Sequence, residues 1–145
     1  MKIPVEFSAN AAGPLTEDRL ARVTASWQER LRLQDWDIQP VIARACDLGD
    51  GHVGDCRPLP HKGYAKIRVL HPSDHEGQSF TLADQAGDWE LTVVHELVHI
   101  ALVGAVPEKQ KRHRRDAEER AINNIARALL AAHRVSRELI ASRET

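Results

Sequence analysis

The chain is 145 residues long, about the usual size of one domain, and such a chain buries roughly 68–70% of its extended surface, so two large domains are excluded. With 42% hydrophobic and 28% charged residues, its composition is that of a chain that packs a core, neither disordered nor fibrous. Lys plus Arg number 20 against 21 Asp plus Glu, a net charge of −1, so no global field attracts nucleic acid or an anionic membrane, and either partner would need a local patch.

No apolar run approaches the ~18 residues of a membrane span, and the start, MKIPVEFSANAAGP, lacks the long apolar stretch of a secretory signal. The expectation is a cytoplasmic protein, one domain over 1–145, with no membrane partner. Cys46 and Cys56 are the only cysteines, too few for a disulfide scaffold; a single bridge between them stays open.

Thr16 to Leu33 has a helical period, with Leu20, Val23, Trp27 and Leu31 on one face, Thr16 as N-cap, and Glu17 and Asp18 in the first turn where the helix dipole favours negative charge. Trp36 to Ala43 reads as a strand that Pro40, lacking an N–H, pushes toward a sheet edge. Residues 47–63, rich in Gly, Asp and Pro, read as a long loop. Tyr64 to Leu70 alternates as a half-buried strand, with Ala65, Ile67 and Val69 on its apolar side. A polar loop then runs to about Gly87. Asp88 is placed to cap a helix over Trp89 to Val103 that is apolar on most sides, as a helix through the core would be, and Gly104 and Pro107 end it. EKQKRHRR, residues 108–115, reads as a basic connector. A long helix follows from Asp116 to Ser142, with Ile122, Ile125, Leu129, Ala132, Ser136 and Leu139 at helical spacing. The elements describe an α+β domain.

Inside the apolar helix lies His95-Glu96-Leu97-Val98-His99, an HExxH motif. Residues i and i+4 share one helix face, so two imidazoles can meet one metal ion, and Glu96 flanks that position without ligating it. An unpaired His and Glu in an apolar helix would be costly, which argues against a chance occurrence. A catalytic zinc usually takes three protein ligands, and the next helix offers Glu118 and Glu119. Stepping about 100° per residue, Glu118 falls in line with Ile122, Ile125 and Leu129, whereas Glu119 lies at the edge of that stripe with Asn123.

HExxH in one helix, followed in the next by a Glu with Asn four residues later, resembles the gluzincin class of zinc metallopeptidases. The run Glu119-Arg120-Ala121-Ile122-Asn123-Asn124-Ile125-Ala126-Arg127-Ala128-Leu129-Leu130 is similar to the E-x-x-[AI]-N-x-[FI]-A-x-x-L-L pattern of small cytoplasmic gluzincins, some of which cleave phage repressors and antitoxin-like regulators, and to short phage-encoded zincins. The motifs cover about residues 88–130, and the first half of the chain fits a minimal zincin-like domain only loosely. The resemblance implies one Zn2+ per chain held by His95, His99 and Glu119, with Glu96 as general base and Asn123 steadying a ligand histidine. It implies a peptide or protein substrate. No helix-turn-helix segment is present, so the regulatory role of the repressor-cleaving members is not carried over.

On that analogy the strand Tyr64 to Leu70 is the rim for an extended peptide, and Tyr64, His113 and His133 are candidates to stabilise an oxyanion, each better explained as structural or exposed. Competing functions are a zincin-shaped regulatory or binding protein without efficient turnover, and a DNA-associated phage or mobile-element protein. The latter would use Lys109, Lys111, Arg112, Arg114 and Arg115, but no aromatic residue interleaves with this run and nucleic acid is not the expected partner. Cys46, His52, Cys56 and His61 suffice in number for a second metal, but the cysteines are ten apart where structural zinc sites space them two to four. His71 and His75 read as residues of a solvated loop, and Trp27, Trp36 and Trp89 as core.

Overall fold

A computed structural model describes residues 12–49, 51–75, 88–105 and 111–144. Helix α1 spans Glu17–Arg30 and starts as its sequence dictates: the Thr16 hydroxyl accepts from the Arg19 N–H at 3.2 Å. Leu20 and Trp27 are buried on its inner face, with Val23 and Leu31 packed against the same core. Strand β1 spans Asp37–Ala43 and β3 spans Tyr64–Leu70, joined by the short helix α2 (Ala45–Leu48) and strand β2 (Gly54–Leu59). The order in the sheet is β1-β3-β2, with β1 parallel and β2 antiparallel to β3. Pro40 thus sits on an edge strand, as its missing N–H requires. Ala65, Ile67 and Val69 of β3 are fully buried while Lys66 is exposed, so the sheet covers the core with one face only.

Helix α3 (Trp89–Ala101) runs through the core, packed on β2, β3, α1 and α4. The Asp88 carboxylate accepts from the Leu91 N–H at 3.3 Å to start it, and Leu102 and Gly104, the latter at φ 88°, end it slightly before the expected Val103. Helix α4 (Arg112–Glu144) extends about 50 Å. Among the described residues no helix is long and apolar enough to cross a membrane.

Three expectations need correction. Residues 47–63 are not one loop, because β2 forms there; its sequence GDCRPL has no apolar alternation, and as an edge strand it is half-exposed along most of its length, so periodicity could not reveal it. The strand Tyr64–Leu70 is the central one, with neighbours on both sides, and has no free edge to offer a peptide. Finally, α4 begins at Arg112, so Arg112, Arg114 and Arg115 are its first turn rather than a connector, and residues 108–110 lie outside those described.

The buried face of α4 is also rotated from the expected stripe. Ile122, Asn123, Ala126, Leu130 and Arg134 are buried, whereas Ile125 is 45% and Leu139 59% exposed. Ala126 turns a small side chain toward the core, Asn123 is buried beside it, and Arg134 is drawn inward by carboxylates at the start of α3. Arg134, 4% exposed, donates to both Asp88 oxygens at 3.0 Å and to Glu90 Oε1 at 3.0 Å; Glu90 Oε2 accepts from the Trp27 indole at 2.9 Å. This network ties the first turn of α3 to α1 and α4.

Candidate metal centre

His95 and His99 lie one turn apart on α3, with ring centroids 5.0 Å apart. Both imidazoles reach the same carboxylate: His95 Nε2 is 3.1 Å from Glu119 Oε2 and His99 Nε2 is 2.8 Å from Glu119 Oε1. Glu119, not Glu118, therefore faces the histidines, because the real inner face of α4 runs through Asn123 and Ala126, one residue round from the face suggested by Ile125. One ligand atom from each of His95, His99 and Glu119 lies within 4.8 Å of the others, and no other such grouping of three occurs among the described residues.

This donor set suits a borderline-soft divalent metal: two imidazoles and one carboxylate on two rigid helices. Tetrahedral ligands at about 2.0–2.1 Å from an ion sit roughly 3.3 Å from one another. The two imidazoles meet different oxygens of the carboxylate, at 3.1 and 2.8 Å, and one donor atom from each of the three residues lies within 4.8 Å of the others, so they surround one ion-sized position from which an ion would draw the farthest pair inward. Hydrogen bonds from His95 and then His99 hold the Glu119 carboxyl well below the usual carboxylate range. Burial pulls His99 down, but its hydrogen bond to Glu119 and the nearby Glu96 charge outweigh this and raise it.

Glu96 is 6% exposed and lies beside the histidines on the cavity wall. Burial pushes its carboxyl upward, only partly offset by the charges of His95 and His99. Its neighbour is Cys56, which lies on strand β2 rather than in a loop. Burial pushes the Cys56 thiol well above its usual range, and the Glu96 carboxylate, which accepts its S–H, adds to that. Cys56 and the exposed Cys46 are both free thiols, so the open question of a bridge is answered. The only trace of this edge in the sequence is the pair of small residues at alternate positions 54 and 56.

Gly54 is where β2 comes closest to the helix. A Cβ there would lie 2.5 Å from Thr92 Cγ2 and 2.7 Å from the Arg68 carbonyl oxygen. The next residue, Asp55, is gripped by both arms of the Arg68 guanidinium, with Nε 2.8 Å from Oδ1. The missing side chain at Gly54 thus lets β2 lie against α3 beside Glu96, while the Asp55–Arg68 pair fixes β2 to β3.

The cavity, about 920 Å³, runs between β2 and α4, and its walls include His52, Cys56, Glu96, Asn123, Asn124 and Arg127. Asn123 is 5% exposed, one turn along α4 from Glu119. Tyr64, His113 and His133 do not line it; His133 packs edge-on against Trp27, ring centroids 5.1 Å apart. Trp27 and Trp89 are core residues at 2% and 6% exposure. His71 Nδ1 accepts from the Ser73 N–H at 3.1 Å in a short 3-10 turn. Compared with models of known families, with curated proteins and with solved structures, the chain matches none.

Proposed function

We propose that this protein is a zinc-dependent peptide hydrolase of the gluzincin type. The observation that carries the reading is the convergence of His95, His99 and Glu119 at one point, with the buried Glu96 carboxylate alongside. Zinc held by these three residues would supply Lewis acidity, acidifying water and polarising a carbonyl.

The remaining work falls to the chain itself. Glu96 takes the proton from the attacking water at a carboxylate oxygen and returns it to the departing amine nitrogen; its upward shift by burial brings it nearer to the neutral range in which a base can do both. The Cys56 S–H, bonded to the same carboxylate, orients it toward the cavity. Asn123, buried one turn from Glu119, steadies the ligand side of the cavity. The edge strand beside the cavity is β2, so an extended peptide would add to β2 rather than to the strand Tyr64–Leu70.

The test pairs metal analysis with a peptide-library digest. Wild-type protein is expected to hold about one zinc per chain and to cleave peptides in a chelator-sensitive way. Glu96→Gln should keep the zinc and lose about 10²–10⁴-fold in cleavage rate. Undiminished cleavage by Glu96→Gln, or metal without any cleavage by the wild type, would overturn the hydrolase reading.

A further inference from the structure

A second cavity, of about 660 Å³, opens between α1 and the C-terminal half of α4 and shares no lining residue with the cavity at the histidines. Its volume is in the range of small-molecule sites, about 300–1,000 Å³. Four arginines line it, Arg19, Arg22, Arg30 and Arg137, against a single carboxylate, Glu90. That carboxylate is already committed, one oxygen to Arg134 and the other to the Trp27 indole. Arg22 pairs with Asp18 at the surface. Among the described residues no carboxylate pairs with Arg19, Arg30 or Arg137: Arg19 donates to the Pro14 carbonyl at 3.3 Å, and Arg30 donates to the Ser26 hydroxyl.

Like charges gathered around one concavity repel, and the field there favours whatever brings negative charge. His133, on the same wall, is held below its ordinary range first by burial and then by the Arg30 charge, with Glu90 opposing and Arg137 and Arg134 adding to the lowering. The wall is also ordered. The Arg30 guanidinium carbon lies over the buried Trp27 ring, 5.2 Å from its centroid, a cation–π contact that together with the hydrogen bond to Ser26 holds the charge at the cavity wall. Ser26 and Ser136 add hydroxyl donors, and Val23 and Ile140 an apolar side. Guanidinium forks match phosphate oxygens two at a time, and several of them around one volume call for more than one negative charge.

We propose that this cavity is a binding site for a small organic phosphate carrying a diphosphate group, the phosphates held by Arg19, Arg30 and Arg137 and the organic part lying on Val23 and Ile140. The site is independent of the metal centre. It differs from an extended nucleic-acid surface in gathering its arginines around one concavity of small-molecule volume.

The test is calorimetric titration of the full chain with inorganic pyrophosphate and with ADP at about 0.15 M salt, where diffuse surface attraction is largely screened. Both probes should saturate at about one per chain, with the Trp27 indole N–H resonance shifting in step. Arg30→Gln with Arg137→Gln should weaken binding about tenfold or more, while Arg115→Gln with Arg143→Gln, on the same helix but outside the cavity, changes it less than about twofold. Thermal melts by circular dichroism verify that both pairs fold. No saturation by either probe, equal weakening by the two pairs, or binding of duplex DNA but not of the small probes would each overturn the proposal.

Discussion

Removing Arg134 tests how the first turn of α3, and with it the metal centre, is held in place. Arg134, Asp88 and Glu90 are 4%, 3% and 6% exposed, and three charge-assisted hydrogen bonds of 3.0 Å join them. Arg134→Met fills a similar volume with an apolar chain but leaves two buried carboxylates without a cation. Breaking a buried pair by deleting one partner costs about 3–5 kcal/mol, against a total of about 5–15 kcal/mol for a typical domain. At about 2–4 °C per kcal/mol for a chain of this size, the melting temperature should fall by roughly 6–20 °C. Neutralising the acids as well, by adding Asp88→Asn and Glu90→Gln, should restore more than half of the loss. Asparagine can still cap the Leu91 N–H, glutamine can still accept from Trp27, and no buried charge remains. Urea denaturation of the wild type, the single variant and the triple variant measures both steps. A loss below about 1 kcal/mol in Arg134→Met, or a triple variant no more stable than the single one, would refute the account.

The ligand register is tested by metal content: Glu119→Ala should lose most bound zinc, because its carboxylate alone meets both imidazoles, while Glu118→Ala keeps it; the reverse result would remove Glu119 from the site. Gly54→Ala should cost about 1–3 kcal/mol in denaturant melts by overpacking, and adding Thr92→Ser should recover only part, since the 2.7 Å approach to the Arg68 carbonyl stays; a fully stable Gly54→Ala would show that β2 can withdraw freely. The Asp74 carboxyl is held below its ordinary range first by Arg44, bonded at 2.7 and 2.8 Å, and then by the Ala45 N–H. A carboxyl lowered in the folded state adds stability above its unfolded value of about 3.9 and loses it as pH falls further. Asp74→Asn should therefore melt below the wild type at neutral pH, with the two curves converging in acid; a constant gap down to about pH 2 would contradict this.

Local signals in this chain carried local structure. Thr16 and Asp88 are capping residues whose chemistry acts within three positions, and both helices start where those side chains place them. The alternation Tyr64 to Leu70 matches β3 residue for residue, since a strand with one buried face writes a period of two into its sequence. The HExxH spacing likewise determines that His95 and His99 share a helix face, whatever the rest of the fold. Periodicity, however, says which residues share a face, not which face meets a neighbour. On α4 the apolar residues pointed to a stripe through Ile125 and Leu139, yet the helix buries Asn123, Ala126 and Arg134; for Arg134 the partners stand at the start of α3, 44 and 46 residues away. That rotation is also what turns Glu119 rather than Glu118 toward the histidines. Strand β2 left almost no trace, since an edge strand with one glycine, one proline and no fully buried position gains its place from pairing with β3 and from the room Gly54 leaves against Thr92, not from its own propensity. Cys56 meets Glu96, and arginines from α1 and α4 meet around one cavity, for the same reason: contacts between residues 40 or more positions apart follow from how the elements pack, and nothing within either segment records them.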